Sequence, residues 1–255
     1  MRGPLYGHTH KEGANKEYVN CLEKAAGFLK KVQVRSDDPK TNGRFGGTSD
    51  QWTYDHAMAT MAMCELLVMS ADIGLKEPVT DAVNFCLLAQ NDGLGWRYGV
   101  KPGDNDTSVT GWMVLALKTA KNAPLEIPKE RFDSAFQGAL KWFQRVTAAN
   151  GRAGYVSPGD TGSMLAIYAK KSPYRFSKNL SAMTAMGILC RIFCGEKRQG
   201  DAVRKGVKLL EWGPVGGRIY STALGAMALG VDYRFRRLQE QPPSVEKPEK
   251  KPEKK

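Results

Sequence analysis

Four segments of this chain share one pattern, in which a turn rich in Gly and aromatic residues precedes an apolar helix carrying a threonine near its start. Internal repetition constrains the fold more than any single motif, because each repeated unit buries its apolar face only against its neighbours. The units recur about every 40 to 75 residues, which is long enough for a pair of helices. The sequence therefore predicts stacked helical pairs with functional residues in the turns on one face. The four threonines are Thr60, Thr110, Thr184 and Thr222.

Each predicted pair joins two kinds of helix. The first helix is amphipathic, as shown by Leu22, Ala25 and Leu29, which recur at steps of three and four. The second helix is apolar, rich in small residues and poor in charge. We expect the first helix of each pair to lie outside and the second to lie inside and to be more buried. The predicted pairs are 16–33 with 54–70, 79–90 with 106–121, 128–146 with 181–194, and 201–212 with 220–235.

The fold class predicted from these patterns is all-α. Residues 1–15 form an N-terminal extension, 16–238 the repeat domain, and 239–255 a tail of Lys, Pro and Glu. The tail has too little apolar surface to offset the entropy of ordering, so we expect disorder there. No run of 18 apolar residues and no signal peptide is evident, so the expectation is a cytoplasmic protein without a transmembrane segment, with peripheral membrane contact open.

The chain carries a net charge of +12, which favours anionic partners such as an acidic lipid or a phosphorylated ligand. The Lys and Arg residues are scattered and lack an interleaved aromatic platform, so specific nucleic-acid binding is not expected. The five cysteines fall in predicted helices, mostly on apolar faces, and are interpreted as buried free thiols.

Several segments resemble a known superfamily. Gln90 followed by Gly93-Leu-Gly-Trp96 is similar to the Gln-Trp repeat of squalene and terpenoid cyclases, and Asp106-Thr107-Ser108 resembles the segment that holds their catalytic acid. The segments 7–13, 54–56 and 95–98 read like loops of bacterial prenyltransferase/squalene-oxidase repeat proteins. The resemblance covers about residues 7–236 and implies an α/α toroid, or part of one, with about four helical hairpins.

Departures from the family patterns bear on activity. Asn105 stands where class II cyclases place the proton-donating Asp, and an amide cannot deliver that proton. The stretch 101–109 has no Cys and no His follows it, so no zinc, other metal or cofactor is expected. Four hairpins are fewer than a closed ring needs. The resemblance thus leaves room for a protein partner, or for missing repeats, that would complete the toroid.

The candidate site residues lie in or beside the turns. Asp104 and Asp106 are the candidate catalytic acids, because two carboxylates in one turn can raise one another's pKa. The aromatic residues suit cation–π contacts, and Arg97 or Lys101 could meet an anionic head group. His8 and His10 have spacing too weak for a metal site. The candidate ligand-binding residues are Asp55, His56, Trp96, Arg97, Tyr98, Tyr155 and Tyr220.

Three functions remain open from the sequence. The first is a toroid repeat protein that binds an apolar or isoprenoid-like ligand, such as an amphiphile with an anionic head, or a protein partner. The second is a zinc-independent isoprenoid cyclase of the isomerase or lyase type that uses Asp104 or Asp106 as acid. The third is an (α/α)-barrel carbohydrate-active enzyme, which would need a second carboxylate, such as Asp55 or Asp160, facing Asp106.

Overall fold

The computed structural model describes residues 16–47, 52–160 and 182–211. Within these ranges the chain is helical without strands, as the sequence predicted, and a single β-bridge joins Thr147 to Ala153. A short 3₁₀ helix spans Ile73–Leu75. The described ranges hold seven α-helices, namely α1 (Lys16–Val32), α2 (Trp52–Ser70), α3 (Lys76–Ala89), α4 (Thr107–Ala120), α5 (Lys129–Val146), α6 (Ala182–Phe193) and α7 (Asp201–Glu211).

Every predicted helix that falls in the described ranges is present, with ends within a few residues of those expected. Local chemistry explains two of the starts. Asp106 caps α4, its side chain accepting a hydrogen bond from the Val109 amide at 2.7 Å. α5 begins directly after Pro128, which has no amide hydrogen to leave unsatisfied. The predicted helix at 220–235, with Thr222 and Tyr220, lies outside the described residues, as do residues 1–15 and the tail 239–255.

The helices form two layers. α2 packs against α4, and α4 packs against α6, so these three make a continuous inner layer. α3 contacts both α2 and α4, and α5 contacts both α4 and α6, which places each outer helix over the groove between two inner ones. This alternation of outer and inner helices is the arrangement expected of stacked helical pairs.

The inner helices are the more buried members of their pairs. α4 has eleven of fourteen residues buried, against seven of fourteen in α3. α6 has nine of twelve buried, against eight of eighteen in α5. α2 has eight of nineteen buried, whereas α1 buries only Ala26. The predicted difference in burial is therefore confirmed for the three pairs whose helices are both described.

The turns between paired helices repeat the same backbone hydrogen bonds. The amide of Val34 donates to the Arg44 carbonyl, that of Asn91 to Gly95, and that of Ala148 to Arg152. These bonds align three turns, in which Phe45, Trp96 and Ala153 are equivalent. The amide of each equivalent residue then donates to a side chain of the following inner helix, namely His56, Thr110 and Thr184. In the first unit the sequence repeat pointed to Thr60, whereas the structure uses His56.

Each turn also packs against the next outer helix, and we call this contact a joint. In the first two units a glutamine side chain forms hydrogen bonds across the joint. Gln33 Nε2 donates to the carbonyls of Gly43 and Pro78 at 3.0 and 2.8 Å. Gln90 Nε2 makes the equivalent bonds to Leu94 and Ala135 at 2.6 and 2.9 Å. In the third unit Thr147 stands at this position and accepts a hydrogen bond from the buried Arg191 at 2.9 Å.

The five cysteines are free thiols, as expected, and Cys64, Cys86 and Cys190 are buried. Cys21 is exposed, because α1 turns that side of the helix to solvent. None of the helices in the described ranges has the length and apolarity needed to cross a membrane.

Candidate functional site: a tyrosine cluster at the ends of the inner helices

Three tyrosine hydroxyls form a chain that ends on a buried carboxylate. The Tyr155 hydroxyl donates to Asp106 Oδ2 at 3.1 Å, and Tyr155 and Tyr98 hydroxyls lie 3.0 Å apart. Tyr54 continues the chain, its hydroxyl 3.5 Å from that of Tyr98. All three rings are half-buried, whereas Asp106 is fully buried. We call these four residues the tyrosine cluster.

Two helices and two turns bring the cluster together. Tyr54 lies in the first turn of α2, Asp106 caps α4, and Tyr98 and Tyr155 come from the two turns that precede α4 and α6. Thr107 ties these turns together, because its amide donates to the Tyr155 carbonyl at 2.9 Å and its hydroxyl donates to the Gly154 carbonyl at 2.6 Å.

Asp160 fixes the turn that carries Tyr155. Its carboxylate accepts hydrogen bonds from the amides of Tyr155, Val156 and Ser157 and from the Ser157 hydroxyl, the last at 2.8 Å. Burial acts to raise the pKa of Asp160, but these hydrogen bonds outweigh it and hold the pKa below its ordinary value. An ionised Asp160 thus keeps Tyr155 in position.

Burial dominates the electrostatics of the cluster. It raises the pKa of Asp106, and the hydrogen bonds from the Val109 amide and the Tyr155 hydroxyl, with the nearby Arg97 charge, oppose that rise. Burial also raises the pKa of Tyr155 and Tyr54 above the ordinary value. Tyr54 and Tyr155 are therefore held as neutral hydroxyls. Asp106 has an acceptor role at both oxygens and sits at the positive end of a helix, which suits a carboxylate.

The cations of these turns are already paired. Arg97 Nε lies 3.0 Å from Asp104 Oδ2, and its guanidinium stacks over the rings of Tyr98 and Tyr155 at 5.5 and 5.9 Å. Lys101 Nζ lies 2.5 Å from Asp92 Oδ1. Asp104 is 64% exposed and contacts the cluster only through Arg97. An anionic ligand would have to compete with these carboxylates.

An apolar face of the inner layer begins at the cluster. Met58 and Met61 follow Tyr54 on one face of α2, up to the charged Glu65, and Trp112 follows Ser108 on one face of α4, all at helical spacing. α2 packs against α4, and the Ser108 side chain acts to lower the pKa of Tyr54, so the two faces start side by side. Met58 is 41% exposed and Trp112 is partly exposed. We call these residues the inner-face stripe.

His56 lies in the core and not at the mouth of a cavity. Its Nδ1 accepts a hydrogen bond from the Phe45 amide at 3.1 Å, so its Nε2 carries the hydrogen, which points to the Ala82 carbonyl at 3.1 Å. Burial lowers the pKa of His56 to about 3, so the ring is neutral. The neighbouring Asp55 is exposed on the first turn of α2.

Trp96 is also part of the core. It has no exposed surface, and its Nε1 donates to the Cys86 carbonyl at 2.8 Å. Of the residues expected at the site, the structure thus brings together Asp106, Tyr98 and Tyr155, with Arg97 and Asp104 beside them. It places His56 and Trp96 in the core and Asp55 on the surface, while Tyr220 lies outside the described residues.

Tyr54 and Ser108 are site residues that the sequence analysis did not select. A signal for them exists in the chain. When the units are aligned on the residues that receive the turn amide, His56 and Thr110, both Tyr54 and Ser108 lie two positions earlier. Polar residues at one repeated position of two adjacent inner helices indicate a shared surface.

Within the described ranges, no three His, Cys, Asp or Glu side chains come together to hold a metal ion. Comparison of the chain with models of protein families, with curated proteins and with solved structures finds no match.

Proposed function

We propose that this chain is an α/α-toroid repeat protein that binds an apolar, isoprenoid-like ligand along its inner layer. The observation that carries the proposal is the inner-face stripe, where Met58 and Trp112 leave apolar surface open beside the polar tyrosine cluster. An amphiphile would lay its tail on the stripe, at about 0.8 kcal/mol per buried CH₂, and would place its polar head at the cluster.

The geometry supports binding over proton transfer. A catalytic acid must carry a proton and direct it at the substrate, but both oxygens of Asp106 accept hydrogen bonds from the protein. Asp104 is exposed and paired with Arg97. The cyclase that uses Asp104 or Asp106 as acid is therefore the weaker proposal. A carbohydrate enzyme with Asp160 as second carboxylate is weaker too, because Asp160 is occupied in its own turn.

Titration of the protein with farnesol and farnesyl diphosphate, followed by tryptophan fluorescence, tests the proposal. We expect saturable binding, which Met58→Glu weakens at least tenfold because it places a charge on the path of the tail. Ile73→Glu is the matched control, since Ile73 is an apolar residue 83% exposed outside the stripe. Absence of binding at millimolar ligand by folded protein, or equal effects of the two substitutions, would contradict the proposal.

A protein partner is the second candidate function, and the surface of α1 favours it. Leu22, Phe28 and Val32 expose 37%, 62% and 41% of their surface. A groove of about 850 Å³ lies between α1 and the end of α2, lined by apolar residues such as Leu66 and Met69. A partner or further repeats that extend the stack would cover this surface. Sedimentation of the protein over a hundredfold range of concentration tests for self-association here.

A further inference from the structure

The hydrogen bonds of the tyrosine cluster have a fixed direction. Asp106 Oδ1 accepts from the Val109 amide, and an ionised Oδ2 can only accept, so the Tyr155 hydroxyl must donate to it. Tyr155 has then used its single hydrogen. The hydrogen between Tyr155 and Tyr98 must therefore belong to Tyr98.

At the other end of the row of hydroxyls, the Tyr98 oxygen is the group that a ligand would meet. Tyr98 has given its hydrogen to Tyr155, so its oxygen can only accept at its other side. Tyr54 is its neighbour there, but the two oxygens are 3.5 Å apart, which is long for a hydrogen bond between hydroxyls. Tyr54 can give its hydrogen to one lone pair of the Tyr98 oxygen across this long contact. The other lone pair remains free to accept a hydrogen bond beside the start of the inner-face stripe.

We infer that the tyrosine cluster selects a ligand whose head group donates a hydrogen bond, such as an alcohol, over a ligand whose head can only accept. The inference rests on the proposed function and specifies its ligand class. It also agrees with the cations nearby, because Arg97 and Lys101 are paired with Asp104 and Asp92 and do not form an open anion site. Asp106 acts here as a positioning residue, two hydroxyls away from the ligand.

The substitution Asp106→Asn tests the direction of the chain. The Val109 amide requires an oxygen, so the Asn side chain keeps its oxygen there and presents its NH₂ to Tyr155. The Tyr155 oxygen then accepts a hydrogen bond from the Asn NH₂, so the Tyr155 hydroxyl donates to the Tyr98 oxygen. The Tyr98 hydrogen is thereby left free to be donated to a ligand. The preference for donor heads should therefore disappear or reverse in this variant, while the helix cap is retained.

The experiment compares the affinities for farnesol and for its methyl ether, which can only accept. The wild-type protein should prefer the alcohol about three- to tenfold, the range of one hydrogen bond. Asp106→Asn should bring this ratio to one or below. Asp133→Asn is the control and should keep the wild-type ratio, because Asp133 pairs with Lys121 at the end of α4 opposite to Asp106. The methyl group of the ether adds the same apolar area in every variant. Its contribution therefore cancels when the alcohol-to-ether affinity ratio is compared between variants.

Each result has a distinct meaning. A wild-type ratio near one, or an unchanged ratio in Asp106→Asn, would overturn the inference while leaving the proposed binding function intact. Binding of neither ligand would overturn the proposed function and this inference together. If Asp106→Asn does not fold by circular dichroism, Tyr155→Phe replaces it, because it also frees the Tyr98 hydrogen and should abolish the preference.

Discussion

Asp106 performs two tasks, one with each oxygen of its carboxylate. One oxygen caps α4 through the Val109 amide, and the other accepts from Tyr155. Asparagine can keep the first task but not the second, and alanine can keep neither. Buried side chains elsewhere in the inner layer act in the same way, each serving a turn and a helix at once. The hydroxyl of Thr110, for example, contacts both the amide and the carbonyl of Trp96, at 3.0 and 3.2 Å.

Asp106→Ala should destabilise the fold by about 1–2 kcal/mol through loss of the helix cap, whereas Asp106→Asn should cost little. The pH dependence of the free energy of unfolding distinguishes the effect of the Asp106 charge from that of its capping hydrogen bond. Burial raises the pKa of Asp106 in the folded protein above its ordinary 3.8. The contribution of Asp106 to the free energy of unfolding therefore falls as pH rises from 3.8 through the raised pKa.

Urea unfolding of wild type and Asp106→Asn from pH 3.5 to 7 measures this effect. The stability of the wild type relative to the Asn variant should decrease with rising pH. If the relative stability of the wild type instead increased with pH, the pKa of Asp106 would be lowered in the folded protein, which contradicts the effect of burial.

His56 should make the protein sensitive to acid. Its pKa is lowered from 6.5 to about 3 by burial, so the folded state excludes a proton that the unfolded chain binds below pH 6.5. The stability that this group contributes is present above pH 6.5 and is lost towards pH 3, at up to about 1.4 kcal/mol per pH unit. His56→Gln should be less stable than wild type at pH 8 and should lose less between pH 6.5 and 4. Parallel curves for the two proteins would contradict the assignment of this proton to His56.

At the scale of elements, the joints between successive units depend on close contact between a turn and the next outer helix. Gly43 approaches α3, Gly138 of α5 approaches the turn at Leu94, and Gly151 approaches Gly206 of α7. Each joint has a glycine either in the turn or in the outer helix, because the Cβ of any other residue there would clash with backbone atoms across the joint. The glutamines at positions 33 and 90 then satisfy the carbonyls that the contact buries.

Two helical glycines should respond to alanine in opposite ways. A Cβ at Gly138 would lie 2.7 Å from the Leu94 carbonyl oxygen, a backbone atom that cannot move aside, so Gly138→Ala should destabilise by about 1–3 kcal/mol. A Cβ at Gly27 of α1 would meet nothing within 4 Å, so Gly27→Ala should stabilise by about 0.5–1 kcal/mol through helix propensity. Thermal unfolding measures both, and a stabilising Gly138→Ala would mean that the joint is looser than described.

Periodicity was enough to predict the helices, because the spacing of Leu22, Ala25 and Leu29 requires no knowledge of neighbours. It was enough, too, to separate inner from outer helices by charge and residue size. The tyrosine cluster was only partly predictable. Tyr98 and Tyr155 stood out as turn aromatics, but the contacts that join them to Asp106 are distant in sequence. Tyr155 lies 49 positions from Asp106 and 57 positions from Tyr98. For His56, no local pattern shows that the Phe45 amide occupies its Nδ1.

At the scale of the whole molecule, stability should be graded from α4 to α1. α4 packs against α2, α3, α5 and α6 and has eleven buried residues. α1 buries only Ala26, Leu29 is partly buried against the core, and Leu22, Phe28 and Val32 are exposed. Most helical stability in proteins comes from tertiary packing, so a helix with so few buried contacts depends mainly on its own propensity.

Hydrogen exchange should therefore protect the amides of Met113 to Leu117 most strongly and those of α1 least. The α4 amides should open only with global unfolding, because every neighbour of α4 must leave first, whereas α1 amides should exchange through local fraying. Mass spectrometry of peptides from 16–32 and 107–120, at low and high protein concentration, makes the comparison. Protection of α1 equal to that of α4 would contradict the gradient. If that protection grew with concentration, Leu22, Phe28 and Val32 would be covered by a second copy of the chain, and the partner-binding function would gain over ligand binding.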